Sequence, residues 1–200
     1  MGRHNVDDRE ETQRYRVVPA FVPAASIVLV FLVLAAGSPI AAGQASAVIA
    51  VAPFTDEVGF HEDLASWAAA RLTVLLSRKG VRVVPFAQVQ SALLGAGRRP
   101  STLVTLAATE DLAHLLQADA VVTGRLIRAE KEREGAIDPV DQIGPPESTV
   151  TFRLRLLIVA TRQTFYDEVT GYHLGGPDGL TRAAEKALEE YVSRVPPGGL

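Results

Sequence analysis

VIAVAP, residues 48–53, is a short aliphatic and β-branched run ended by proline, the pattern of a strand buried on both faces. The next thirty residues decide the fold. Over residues 56–79 apolar side chains recur at helical spacing, with Phe60, Leu64, Trp67, Ala68, Leu72, Leu75 and Leu76 on one stripe and Gly80 as the stop. VRVV at 81–84, between Gly80 and Pro85, reads as a second short strand. Strand, helix, strand in that order predicts a parallel crossover unit, and the chain's single tryptophan, Trp67, belongs to its buried stripe.

Toward the C-terminus the same reading continues. Residues 86–94 predict a short helix with Phe86, Val89 and Leu93 inward, ended by Gly95 and Gly97 before an exposed Arg98-Arg99-Pro100 turn. Residues 101–117 are helical again, with a break near Thr109, which is read as the cap for Glu110 onward. DAVVTGRLI at 119–127 is a third strand, and Gly124 in its interior predicts a bulge or a close backbone neighbour. Residues 130–147, a charged EKERE run and then Gly135, Asp138-Pro139 and Gly144-Pro145-Pro146, read as a loop. Residues 149–161 alternate, with Val150, Phe152, Leu154, Leu156 and Ile158 on one side and Thr151, Arg153 and Arg155 on the other, which predicts a half-exposed strand. Residues 164–174 pair back on it as a hairpin through Arg162-Gln163. A last helix over 179–195 carries Leu180, Ala183, Ala184, Ala187, Leu188, Tyr191 and Val192 at helical spacing, and residues 196–200 form a disordered tail. The fold class expected is α/β (α+β): a mixed sheet of about five strands flanked by helices, spanning residues 48–195 and preceded by an N-terminal apolar helix.

Upstream of the first strand the chain changes character. Residues 1–16 are polar, and from Val17 to Thr55 no side chain is charged; AASIVLVFLVLAA at 24–36 is almost wholly aliphatic. Arg14 and Arg16 precede this run, whereas the first charges after it are Asp56, Glu57, Glu62 and Asp63. The positive-inside rule then puts the N-terminus in the cytoplasm and the domain outside it, in the periplasm or at the outer face of the inner membrane. Two readings of residues 17–47 stay open, beside the plain alternative of a buried soluble helix. Ala45 and Ala47, small residues at alternate positions, suit signal-peptidase cleavage after Ala47. Counted from Val17 or Ala20, the segment is also long enough to remain as a transmembrane anchor, with Pro19 and Pro23 near its cytoplasmic end.

Composition narrows the function classes. With 48% apolar residues and 22% charged, the chain has enough apolar surface for a core without metals or disulfides. A net charge of -3 without clustered Lys and Arg gives no footprint for nucleic acid. The absence of cysteine removes thiol chemistry, Cys-based zinc sites and a lipid-modified cysteine together.

The order of elements and four stretches, VIAVAPF at 48–54, GVRVVP at 80–85, ADAVVTGRL at 118–126 and LRLLIVATRQTFYDEVTGYHLGG at 154–176 before an Ala-rich helix, resemble a known family. It is the periplasmic α/β domain of the curli-secretion lipoprotein CsgG, the penicillin-binding-protein activator LpoB and the N-terminal part of TolB. The resemblance covers nearly the whole of residues 48–195, with Pro53, Asp119, Gly124 and Gly171 as its signature positions here. It implies an anticodon-binding-like sheet flanked by helices and a role in envelope assembly or docking. The chain departs from those lipoproteins in lacking the acylated Cys and the pore-forming segments of the curli channel.

No stretch reads as a catalytic or cofactor site. His4, His61, His114 and His173 are scattered, and His61-Glu62-Asp63 at a helix start suits the helix dipole. APFTDEVG after the first strand has no glycine cluster and puts Asp56 and Glu57 where a phosphate would sit. Arg125, Arg128, Lys131 and Arg133 form a basic edge with Arg98 and Arg99 only on paper, since Glu130, Glu132 and Glu134 alternate with them; a solvated face is expected. Asp167 and Glu168 are adjacent in a strand, so they point to opposite faces and cannot flank one bond. Tyr166 and Tyr172 share strand parity, which places them together either on a contact surface or against the last helix. The expected function is therefore a non-enzymatic envelope protein that uses no cofactor and no metal. It binds an envelope protein through a sheet edge or the 130–147 loop. Homo-oligomerisation in a secretion or surface structure, and a small-ligand site or enzyme built from ordinary polar residues, are the alternatives.

Overall fold

The computed structural model describes residues 47–131, 147–174 and 176–196. The segment at 17–47, except Ala47, lies outside the described residues, as do most of the 130–147 loop and most of the 196–200 tail. In chain order the elements are β1 (Val48–Val51), β2 (Thr55–Asp56), α1 (Glu62–Arg78), β3 (Arg82–Val83), α2 (Phe86–Gly95), a 3-10 turn (Pro100–Val104), α3 (Leu106–Leu116), β4 (Ala120–Lys131), β5 (Glu147–Ile158), β6 (Gln163–Leu174) and α4 (Gly179–Arg194). Six strands form one mixed sheet in the order β3-β1-β4-β5-β6, with β2 pairing beside β4. β1 is parallel to β3 and β4, and β4, β5 and β6 form an antiparallel meander.

Both faces of β1 are covered, as its unbroken aliphatic run requires. On one face α1 and α4 bury Leu72 and Leu76, Ala183 and Leu188, against Val51, Val122, Phe152 and Leu154. On the other, α2 and α3 bury Val89, Leu93, Leu112 and Leu116 against Ala50, Ala52 and Val121. Asp119 joins the start of β1 to the start of β4: its carboxylate accepts the Val48 N–H at 2.7 Å, and its own N–H donates to the Val48 carbonyl at 2.8 Å.

Two glycines set how closely the layers approach. A Cβ on Gly124 would meet the Phe54 ring at 2.6 Å, so this glycine makes room for the aromatic side chain that Pro53 leads inward. That ring packs on Phe152 with centroids 5.8 Å apart. A Cβ on Gly171 would lie 1.9 Å from the Ala183 carbonyl oxygen, so here α4 rests directly on the backbone of β6.

Several local expectations are corrected. The first helix starts at Glu62, not Asp56, because the Asp56 carboxylate accepts the N–H groups of Val58 (2.8 Å) and His61 (2.5 Å), and Gly59 sits at φ 95°. Phe60 consequently leaves the buried stripe and is 90% exposed, while Trp67 stays half-buried against the core. The helix predicted over 101–117 divides at Thr105, whose hydroxyl caps α3 by accepting the Ala108 N–H; Thr109 is buried inside α3 and donates to the Leu103 or Thr105 carbonyl. The irregularity in β4 falls between Leu126 and Arg128 rather than at Gly124. Glu130, Lys131 and Glu147, expected in the loop, continue the β4–β5 ladder. The hairpin turn is Val159–Arg162, with Arg162 at φ 55°, and Gln163 already pairs with Ile158. Among the described residues no helix is long and apolar enough to cross a membrane.

Candidate functional site

Opposite α4, the 3-10 turn and α3 reach only as far as Arg155 on β5, and beyond it this face of the β4–β5–β6 meander exposes side chains of β4 and β6, while Thr149 and Thr151 in the middle strand are buried. The register places four transverse rows on it. Thr123, Arg155 and Tyr166 form the first, Arg125, Arg153 and Glu168 the second, Arg128, Thr151 and Thr170 the third, and Glu130, Thr149 and Tyr172 the fourth. The irregularity at Leu126/Arg128 is what keeps Arg128 and Glu130 on this face. Tyr166 is 67% exposed and Tyr172 is 52% exposed, so the shared parity of these tyrosines serves a surface and not packing under the last helix. The opposite edge of β6 is unpaired among the described residues.

Charges on this face are matched locally. Arg125 pairs with Glu57 at 2.6 Å, Arg128 with Glu130 at 2.6 Å and Arg153 with Glu168 at 3.2 Å. The hydrogen bond from Arg128 holds the Glu130 carboxyl below its usual range. Such exposed pairs contribute about 0–1 kcal/mol each and mainly fix side-chain positions. Asp167, on the covered face, is clamped by Arg194 at 2.9 and 2.8 Å, so Asp167 and Glu168 do point apart. Behind Asp167 lies Tyr191, whose phenol is pushed well up by burial and by the nearby carboxylate.

Arg155 is the residue that joins the open face to the α3 layer. Its guanidinium donates to the Thr123 hydroxyl (3.2 Å), the Val104 carbonyl (2.6 Å), the Thr109 hydroxyl (2.6 Å) and the Leu103 carbonyl. It therefore caps the 3-10 turn and walls a cleft of about 310 Å³ lined by Pro53, Thr55, Leu103, Arg125, Arg153 and Tyr166. Among the described residues the cleft is lined by no Asp, Glu or His, and its arginines donate to carboxylates, carbonyls or hydroxyls. Nothing in the alternating pattern of β5 distinguishes Arg155 from Arg153; only the long-range pairing of β4 with β5 brings it under the 3-10 turn.

The remaining sequence candidates are placed apart. Arg98 reaches Asp111 (2.7 Å) and the Ala108 carbonyl, away from Arg125 and Arg128. His61, His114 and His173 sit on a loop, a helix and a strand, and among the described residues no group of three or more His, Cys, Asp or Glu side chains is arranged to hold a metal. His4, Ala45 and Arg133 lie outside the described residues.

Comparison with protein-family models and with curated protein sequences finds no match. Solved structures do match. A crystal structure of a lipoprotein from Neisseria meningitidis is 20% identical, covers 74% of this chain and 93% of its own, and overlays with a TM-score of 0.53. A hypothetical protein from Chlamydia trachomatis is 13% identical over 75% of this chain and 95% of its own, with a TM-score of 0.49. The C-terminal domain of LpoB from Escherichia coli is 16% identical over 72% of this chain and 93% of its own, with a TM-score of 0.40. The first of these shows that the α/β domain shares the fold of a bacterial lipoprotein.

Proposed function

We propose that this chain is a non-enzymatic protein of the bacterial cell envelope whose domain lies outside the cytoplasm and docks another envelope protein on the β4–β5–β6 side. The carrying observation is this face, with two exposed tyrosines on β6 and charge-matched side chains around the buried Thr149 and Thr151, beside a twelve-residue edge strand that is unpaired among the described residues. Aromatic anchors in a polar surround suit protein recognition, and an unpaired edge accepts an added strand. The uncharged 17–47 segment with arginines before it and acids after it supports export. Export proceeds either by cleavage after Ala47 or with the segment retained as an anchor. The sequence resemblance to the CsgG, LpoB and TolB domains is in keeping with this reading. Tyr166→Ala with Tyr172→Ala should abolish recovery of the partner after crosslinking in the envelope while leaving the unfolding midpoint unchanged. Deleting residues 132–146 tests the loop route in the same assay. Recovery unaltered by both changes would sink the reading.

A second reading, self-association, is favoured by α2. From Pro85 to Gly97 no residue is charged, although Ala87, Gln90, Ser91 and Leu94 are exposed, Leu94 at 78%. Charge depletion on an exposed helix suits a contact between copies. Light scattering over a wide concentration range tests it: a strict monomer, or an oligomer indifferent to Leu94→Glu, would exclude α2 as that contact.

A further inference from the structure

A second surface, independent of the open face, lies where the first turns of α1 and α4 meet, beyond the C-terminal end of β1. It is a groove of about 720 Å³ floored by Leu64, Trp67 and Leu180, with Phe60 standing at its lip. The loop that carries Phe60 is not slack. Asp56 accepts both the Val58 and the His61 N–H groups, and Gly59 takes a positive φ that a side chain would resist, so the backbone that presents the almost fully exposed Phe60 side chain is set locally. Burial opposes ionisation of Asp56, but the amide donors outweigh it and hold its carboxyl below the usual range. A large apolar side chain presented to solvent beside the partly buried Leu64, Trp67 and Leu180 is costly to leave uncovered and marks a contact.

The rim decides what fits. Glu62, Asp63 and Asp178 line the groove, no Lys or Arg does, and these three carboxylates enter none of the ion pairs among the described residues. The Asp178 side chain, at the N-cap of α4, makes no capping hydrogen bond to its own helix. Acids suit helix N-termini, yet here they leave an apolar floor ringed by unneutralised negative charge. We infer that this groove docks a segment of a protein partner that pairs apolar side chains with basic ones, such as a cationic amphipathic helix. An anionic lipid surface is disfavoured by the same charges. Val48, where the uncharged upstream segment joins, is at the other end of β1, so the groove faces away from that junction.

Trp67 is the chain's single tryptophan and lies in the groove, so it reports occupancy without added probes. The full chain, carrying fluorine-labelled tryptophan in zwitterionic bilayer discs, gives one resonance to titrate with a helical Leu–Lys peptide, its Leu–Glu counterpart and a Ser–Lys peptide of equal charge. The Leu–Lys peptide should move the resonance saturably, and the other two should not. Phe60→Ser, which removes little buried surface, should weaken the titration roughly 10-fold. Asp63→Asn with Asp178→Asn should weaken it about 3-fold and flatten its salt dependence. Thr181→Arg, which sets a bulky cation in the groove, should block it. The inference is overturned by no shift with the Leu–Lys peptide, by an equal shift with the Leu–Glu peptide, or by titrations unchanged in Phe60→Ser and Thr181→Arg. A shift with protein concentration alone, showing a second copy in the groove, or with anionic lipid alone, overturns it as well.

Discussion

Adding one methyl group at Gly171 should do more damage than its size suggests. Gly171 has ordinary strand backbone, so a methyl group meeting no neighbours there would be neutral or stabilising by about 0.5–1 kcal/mol. Instead the new Cβ would sit 1.9 Å from the Ala183 carbonyl oxygen and 2.7 Å from the Ala187 nitrogen, both backbone atoms of α4. Neither can rotate aside, so the helix must retreat by more than about 1 Å, roughly the gap that forfeits a quarter to a half of each contact's attraction. Ala183, Ala184, Ala187, Leu188 and Val192 are the α4 residues buried in the core on this side of the sheet. The expected cost is about 3 kcal/mol, the upper end of ordinary overpacking, and a fall in Tm of about 6–12 °C. Gly124→Ala is the internal comparison. Its clash, at 2.6 Å, is with the Phe54 ring, which can tilt, so about 1–2 kcal/mol is expected. Phe54→Leu should rescue Gly124→Ala with a coupling of about 1 kcal/mol and leave Gly171→Ala unrelieved. Urea unfolding of the full chain in mild detergent measures all of these variants. A Gly171→Ala chain as stable as the parent would refute the placement of α4 on β6.

Other outcomes rest on single groups. Arg155→Gln should cost about 2 kcal/mol, because the Leu103 and Val104 carbonyls lose charged donors, and hydrogen exchange should rise first in the 3-10 turn. Burial raises the Tyr191 phenol in the folded state, so the unfolded chain releases that proton first and stability should fall as pH rises above about 10; Tyr191→Phe should remove this part of the alkaline slope. The lowered Asp56 carboxyl contributes stability that is present above its unfolded value, about 3.9, and is lost as pH falls through its folded one. Asp56→Asn should therefore shallow the acid transition measured by circular dichroism.

Legibility in the sequence tracks the range of the forces involved. β1, α2 and the stripe of α4 are local periodicities, and they stand where period and punctuation put them; β5 keeps its alternation, but Thr151, expected on its exposed side, is buried between its neighbouring strands. The start of α1 is hidden because a carboxylate bonding to amides two and five residues on competes with helix, and Asp56 at a helix start looks like a dipole partner. Thr105 and Thr109 are equally good caps in isolation; the part-buried Arg155 bond to Thr109 separates them, and that pairing spans 46 residues. Gly124 does mark a close approach, but its neighbour is a ring supplied from residue 54 rather than backbone. The open face is half-visible as the shared parity of Tyr166 and Tyr172, and only the register of β4 against β5 shows what lies between them. Phe60 leaves no signal at all, since in a helical stripe it resembles any other core residue.

The central claim is that the β4–β5–β6 face is where an envelope partner docks. Replacing Tyr166, Tyr172 or, on the exposed side of α4, Glu189 with a photoreactive phenylalanine and irradiating intact cells tests it directly. Adducts to one and the same envelope protein from positions 166 and 172, absent from position 189, are the predicted result. No adduct from either tyrosine position, or the same adduct from all three, would contradict it.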